Sequence, residues 1–351
     1  MTERDTIAEP TAAATTVTAM DVARRAGVSQ SAVSRVFTPG ASASKRTIAK
    51  VRAAAEELGY RPNRLARAMI TGRTRIIGLV VAYLDNQFYP LALERLSRAL
   101  QERGYHILVF MAENSTEKVA EVVQELIDYR VDGIVTASVA MSNDLTARLL
   151  ALGIPVVMFN RGQDDPRLAE VTSDNVAGGR RATEFLIAGG HRRIAHITGW
   201  QGSSTGRDRA AGFRAAMDAA GLAPVAMIDG MYNRDTAAEV ARALCADADR
   251  PDAIFVGNDH MAFGVMDALR QGLGLRIPQD VSIVGYDDVP IAAWPAYDLT
   301  TIRQPVNRMV AATVDALLGQ IEGAETPGKV RIDGPLVVRR SAHLPEGYAP
   351  S

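Results

Sequence analysis

The 351-residue chain predicts a small all-α helix-turn-helix headpiece, followed by an α/β body of two doubly wound parallel-sheet subdomains. Three observations predict it. Residues 18–61 are basic and carry three short helical patterns separated by a Gly turn and a loop. From Ile76 onward, short apolar runs alternate with amphipathic stretches, as in repeated βα units. Those units are too many for one small sheet, so two subdomains with a cleft between them are expected.

The net charge of −1, from 39 Lys and Arg against 40 Asp and Glu, hides an asymmetry. Thr18–Arg75 holds 12 basic residues against three acids, Asp21, Glu56 and Glu57. Residues 76–351 hold 26 basic residues against 34 acids. A basic segment attracts phosphates, and release of their counterions drives nucleic-acid binding. The plainer reading of such a stretch is a solvated basic face.

Ala19–Ala26 reads as a first helix ended by Gly27, a good C-terminal breaker. Ser29 can cap a second helix, Gln30–Phe37. Met20, Ala23, Val28, Val33 and Val36 are spaced to share one small core. Two short helices joined by such a turn form a helix-turn-helix, or else an ordinary helical hairpin. In the former the second helix enters the major groove with its N-terminal side chains on base edges. Those are Gln30, Ser31 and, one turn on, Arg35; Gln suits adenine and Arg suits guanine. Ser29 and Ser34 are placed for phosphates. Ser44 caps a third helix with an apolar stripe of Ile48, Val51, Ala55 and Leu58. Residues 62–75 then form a short helical segment and a basic linker, too short for a stable helix alone and so a candidate to fold on binding.

In the body, the strands expected are Ile76–Ala82, His106–Ala112, Gly133–Ser138, Pro155–Asn160, Arg193–Gly199, Val225–Gly230, Ala253–Asp259 and Ser282–Asp287. Apolar runs without strict alternation suit parallel strands covered on both faces. Ligands bind beyond the C-terminal ends of such strands. The polar stretches there include Asp85–Pro90, Asn160-Arg161, Ser203–Arg209, Asn258-Asp259 and Asp287-Asp288, with Phe88, Tyr89, Tyr232 and Trp294 as aromatic partners. Rings beside hydrogen-bonding side chains are what a sugar-like ligand needs. A final strand pair is expected within Val330–Arg340.

Asp21-Val-Ala-x-x-Ala-Gly-Val-Ser29, Val33-Ser-Arg-Val36, Gly59-Tyr-x-Pro-Asn63 and Ala66-Arg67 resemble the headpiece of the lactose/galactose repressor (LacI/GalR) family. The resemblance covers residues 18 to 343. It implies a transcription regulator, most simply a repressor, that binds a palindromic operator as a homodimer. It implies base reading by Gln30, Ser31 and Arg35, and backbone contacts by Ser29, Ser34, Asn63, Arg64 and Arg67. It also implies a minor-groove hinge at Ala66 and Met69, where the family commonly has leucine in place of Met69. The body is similar to periplasmic sugar-binding proteins (type I), which implies effector contacts from Arg209, Asp287, Asn258, Asn160, Phe88, Tyr89 and Tyr232. The implied effector is a sugar, sugar acid or sugar phosphate ahead of a purine, and Arg161 and Arg207 are read as structural.

The implied organisation is a flexible tail (1–17), headpiece (18–61), hinge and linker (62–75), ligand-binding and dimerisation domain (76–343) and tail (344–351). Within the large domain, one subdomain takes about 76–174 and 304–325, the other about 175–303 and 329–341.

Other functions are less well served. No Gly-x-x-x-x-Gly-Lys-Ser/Thr phosphate loop or His-Glu-x-x-His occurs, and five scattered histidines suggest no metal site, so neither catalysis nor a cofactor is expected. A single cysteine, Cys245, the absence of a long apolar window and a start without a secretory pattern fit a cytoplasmic protein. A free sugar-binding protein of transport type would share the body but not the basic headpiece.

Overall fold

The computed structural model describes residues 17–38, 41–62, 72–112, 115–139, 141–163, 165–324 and 328–347. The expected hinge positions Asn63, Arg64, Ala66, Arg67 and Met69 lie outside the described residues. The chain divides into two compact units, Met1–Thr74 and Arg75–Ser351.

In the first unit, α1 (Ala19–Ala26), α2 (Gln30–Phe37) and α3 (Lys45–Glu57) enclose one small core. Thr18 opens α1 with a reciprocal cap, its side chain accepting from Asp21 N and its own N–H donating to Asp21. Gly27, at φ 65°, ends the helix in the left-handed conformation that glycine adopts without strain. Ser29 and Ser44 cap α2 and α3 by accepting from Ala32 N at 3.2 Å and Thr47 N at 3.1 Å. Each cap is worth about 1 kcal/mol. Val22, Ala23, Ala26, Val33, Val51, Ala54 and Ala55 form the core, and Arg25 clamps Glu57 across α1 and α3. Met20 is not in it. The buried stripe is Ala19, Val22, Ala23 and Ala26, one helical step away, which leaves Met20 56% exposed.

The second unit holds two six-stranded sheets. The first runs in the order β11-β5-β4-β3-β1-β2: β1 (Ile76–Val81), β2 (His106–Met111), β3 (Gly133–Ala137), β4 (Val156–Phe159), β5 (Ala169–Ser173) and β11 (Lys329–Ile332), all parallel. The second runs β12-β10-β9-β8-β6-β7: β6 (Ile194–Thr198), β7 (Ala226–Asp229), β8 (Ala253–Val256), β9 (Ser282–Asp287), β10 (Thr300–Arg303) and the antiparallel β12 (Leu336–Val337). Helices α4 (Phe88–Glu102), α5 (Thr116–Asp128), α6 (Asn143–Ala151) and α11 (Val306–Ile321) belong with the first sheet. Helices α7 (Asn175–Ala188), α8 (Ser204–Ala219), α9 (Arg234–Cys245) and α10 (Asp259–Asp267) belong with the second. The inner strands are buried along their length, as the apolar runs require.

Two expectations are corrected. Ala169–Ser173 is a strand, hidden in the sequence because it buries Glu170, which accepts from Gln163 N and pairs with Lys329. Lys329–Ile332 pairs with that strand in the first sheet, so it does not form a pair with the strand that follows, and it leaves the second subdomain. The chain thus passes between sheets after Ser173, after Arg303 and after Ile332. Three crossings of this kind join the two sheets.

Register sets the site. Val81 pairs with Met111 and Ala137, and Ala137 with Phe159, so residues 82, 112, 138 and 160 leave the first sheet along one edge. In the second sheet Thr198 pairs with Asp229 and Ile197 with Val256, so Gly199, Gly230 and Gly257 leave along one edge too.

Candidate functional site

Side chains from both edges line one cavity, among them Tyr89, Asn160, Arg209, Tyr232, Asn258 and Asp287. Six of the seven positions read from the sequence therefore meet. Phe88, the seventh, does not line the cavity. Its ring stacks on Phe159 at 6.1 Å within the first sheet's core, while Tyr89, one helical step on, turns to the cavity. Trp294 is exposed and also does not line it.

Arg209 projects from α8 and is 3% exposed. Its Nε donates to Asn175 Oδ1 at 2.9 Å and its Nη1 to Gly257 O at 2.6 Å. Its Nη2 stands 3.7 Å from Asp287 Oδ1. The seat depends on how closely α7 and α8 pack. A Cβ on Gly179 would lie 2.4 Å from Arg209 O, and one on Gly212 2.1 Å from Val176 O. Only glycine permits those approaches.

Asp287 ends β9 at φ 129° and accepts from Gln304 Nε2 at 2.7 Å and from the Asn86 side chain across the cleft. Burial pushes its carboxyl up, against the pull of Arg209 and those two donors. Its neighbour Asp259 is also pushed up by burial and by Asp287 itself, although Thr301 Oγ1 and Val289 N donate to it. Asp288 is committed elsewhere, to Arg303 and Arg339 at 2.6 Å each.

Tyr89 Oη accepts from Ser138 Oγ at 2.6 Å and from Asn160 Nδ2 at 2.9 Å, so its own proton remains to be donated. Asn160 Oδ1 is buried without a hydrogen-bond partner. Asn258 caps α10 with Oδ1, accepting from Met261 N at 2.9 Å, which leaves its amide nitrogen for other work. Tyr232 rests its ring on Gly199, where a Cβ would come within 2.0 Å, and donates to Thr205 Oγ1 at 2.9 Å.

The backbone is strained in the same place. Among the described residues nine non-glycine residues have positive φ, and five of them, Ser138, Asn160, Met231, Tyr232 and Asp287, line this cavity. Each costs on the order of 1–3 kcal/mol, a load that concentrates at functional sites.

The sequence reading marked the polar stretches that hold Asn86, Arg161 and Thr205 without assigning these three to the effector, read Arg161 as structural, and gave Ser138 only as a strand end; all four line the cavity, Arg161 while buried. Position at a strand end was the available signal for Arg161, next to Asn160. Arg207 is exposed and donates to Gln201 O and Gly202 O.

In the headpiece, Ser29, Gln30, Ser31, Ser34 and Arg35 are all exposed on one helix and its cap. Ser29 Oγ caps the helix and also lies 2.9 Å from Ser31 Oγ, and Arg35 Nε reaches Ser31 O at 3.4 Å. Lys45, Arg46, Lys50 and Arg52 are exposed on α3. Among the described residues no helix is long and apolar enough to cross a membrane.

Residues 18–63 match the family described as bacterial regulatory proteins, lacI family, and residues 183–342 match a periplasmic binding protein-like domain. The ribose operon repressor of Escherichia coli (strain K12) is 36% identical over 309 residues, 87% of this chain and 93% of its own. The HTH-type transcriptional repressor PurR of Vibrio parahaemolyticus is 34% identical over 332 residues, 92% of this chain and 98% of its own. Among solved structures, the Lac repressor dimer bound to operator and the anti-inducer ONPF matches with a TM-score of 0.85 at 29% identity, covering 93% of this chain and 98% of that one. The chain belongs to the lacI family of bacterial regulatory proteins and is a DNA-binding transcriptional repressor.

Proposed function

We propose that this repressor binds a palindromic operator as a cytoplasmic homodimer, and that a sugar or sugar derivative held in the cleft between its two sheets controls that binding. The seat of Arg209 carries the effector half of the reading. A guanidinium withdrawn from water beside Asp287, with strained strand ends around it, is costly unless it recognises something. The cavity offers two half-buried rings, Tyr83 and Tyr232, amid amides, hydroxyls and charges. That mixture suits a polyhydroxylated ring, whose CH face stacks while its hydroxyls find fixed partners.

The dimer is supported by the sheet edges. β2 and β7 are the equivalent edge strands of the two sheets, and they expose Val109, Met111 and Ile228. Uncovered apolar edges invite pairing with another chain. Two headpieces so joined would read two half-sites, with Gln30, Ser31 and Arg35 on bases and Ser29 and Ser34 on phosphates. Residues 62–75 would couple cleft to operator, with Asn63, Arg64 and Arg67 on the backbone and Ala66 and Met69 in the minor groove. An effector acts by preferring one arrangement of the subdomains, and linkage requires DNA to change effector affinity by the same factor.

The test is operator binding by the full chain against a panel of sugars, sugar acids, sugar phosphates and nucleobases, with thermal shifts in parallel. A compound that moves both readouts, and loses its effect in Arg209→Ala, supports the reading. A compound that still acts on Arg209→Ala places the effector site elsewhere.

A further inference from the structure

Arg161 follows Asn160 at the end of β4, and Asn160, at φ 69°, turns the chain there. The Arg161 side chain is 7% exposed. Its Nη1 donates to Ser138 O at 2.8 Å, and its Nε is buried without a hydrogen-bond partner. No carboxylate of the described residues forms an ion pair with it. The nearest compensation is from two rings, Tyr232 at 5.4 Å and Trp200 at 6.0 Å, which offset a charge but do not neutralise it.

The buried wall of the cleft therefore holds two guanidiniums and one carboxylate. That carboxylate, Asp287, is shared among Arg209, Gln304 and Asn86. Asp85 also lines the cavity, but it is 70% exposed at the rim and faces His260 at 3.7 Å. A solvated rim charge does little for a buried one. Asn160, beside Arg161 in the chain and also lining the cavity, is an amide and brings no negative charge. Arg161 also borders a second cavity, lined further by Trp200, Ser203, Ser204 and Arg207.

We propose that the effector carries an anionic group, a carboxylate or a phosphate, that docks on Arg161, and that neutral sugars are discriminated against. This rests on the cleft reading above. A charged guanidinium out of water demands a partner. A planar fork with free N–H groups takes a carboxylate or phosphate through charge-assisted hydrogen bonds.

The experiment is calorimetry on the full chain with neutral aldoses, their matched aldonates and their matched phosphates, D-ribose, D-ribonate and D-ribose 5-phosphate among them. The expected result is that an anionic member binds about 10- to 100-fold more tightly than its neutral parent, the span of one charged hydrogen-bond contact. Which anionic arm binds separates carboxylate from phosphate. Arg161→Met should erase that preference, Arg161→Lys should retain part of it, and Asn160→Asp, which supplies an internal counter-charge, should weaken the anion.

A neutral parent that binds as tightly as its anion, unaffected by Arg161→Met, overturns the proposal. The cleft reading then stands if Arg209→Ala loses that ligand, and falls if it does not. If no sugar binds, inorganic phosphate decides, against chloride at matched ionic strength. It should raise the melting temperature of the wild type more than that of Arg161→Met, and equal shifts overturn the proposal.

Discussion

The Arg209 guanidinium carbon lies 3.6 Å from the centroid of the buried Tyr286 ring. The ring is fixed in turn, because Tyr286 Oη lies 3.0 Å from Ser173 Oγ and a Cβ on Gly178 would meet the ring's hydroxyl at 2.5 Å. Arg209 thus has a floor, two hydrogen-bonded flanks and one loose ionic partner, with little freedom to adopt another pose.

Arg209→Ala should therefore remove effector response while sparing operator binding, since no residue of the headpiece changes. It also leaves Asp287 without its cation. Breaking a buried pair in this way costs about 3–5 kcal/mol. Asp287 can relieve part of that by holding its proton, so the variant should melt lower but cooperatively. Operator titration with and without effector checks the first point. A variant that responds to effector as the wild type does would remove Arg209 from the site.

The glycines under Arg209 make a second prediction. Gly212→Ala would place a Cβ 2.1 Å from Val176 O, a backbone atom with no rotamer to yield. The helices α7 and α8 must part, at about 1–3 kcal/mol, the usual cost of overpacking. Because α8 carries Arg209, effector affinity should fall as well. The check is thermal melting beside effector titration. A variant that is as stable as the wild type would show that the helices are not in tight register.

His196 sets an acid limit on the body. It is fully buried, stacked on Phe255 at 4.5 Å, with Nδ1 against Phe255 O at 2.8 Å. Burial pushes its pKa down from 6.5 to about 4, so the folded chain keeps it neutral where the unfolded chain would charge it. The unfolded state then binds more protons between those values. Its stabilising effect is complete above pH 6.5 and is lost as pH falls toward 4. The loss amounts to about 3 kcal/mol. His196→Phe keeps the stack and removes the titration, so its stability should fall less over that interval. Denaturant melts at pH 7 and pH 4.5 decide it, and equal acid sensitivity in both proteins assigns the effect to other groups.

Much of this was legible beforehand. Gly27, Ser29 and Ser44 mark helix ends because their roles are local, and the structure places each at its cap. The apolar runs gave the parallel strands because burial on both faces leaves a continuous apolar signature. Arg209, Asp287, Asn160, Asn258, Tyr89 and Tyr232 meet because strand ends in such sheets share an edge. What escaped was set by distant pairing. Phe88 and Tyr89 are adjacent aromatics that a helix sends to different neighbours. Lys329–Ile332 looks like half of a hairpin, and only its pairing with Ala169–Ser173 places it in the other sheet. Arg161 reads as structural from the sequence, and only Ser138, Tyr232 and Trp200 around it reveal a buried guanidinium on the cavity wall.

Arg35 supports a prediction on the DNA side. It is exposed one turn into α2, and among the described residues its hydrogen bonding is a 3.4 Å contact to Ser31 O, which leaves it able to reach a base edge. Arg35→Ala should cost about 1–3 kcal/mol of preference for the operator over mismatched DNA, while salt-dependent general affinity changes little. Competition binding with operator and scrambled duplexes measures this. Unchanged preference would take Arg35 out of the reading set.

The sheet edges give the last prediction. Met111 is 50% exposed on β2 and Ile228 is 38% exposed on β7. If these edges are the homodimer interface, Met111→Glu with Ile228→Glu buries like charges against their symmetry mates, which strongly disfavours association. Sedimentation should then find a monomer, with its body folded because neither side chain belongs to a core. Operator affinity should fall by about 10²- to 10⁴-fold, the value of linking two binding modules, while affinity for an isolated half-site stays the same. A double variant that remains dimeric would mean that the chains associate through another face. A monomer that keeps full operator affinity would mean instead that one headpiece suffices, and that the palindrome is read without the dimer.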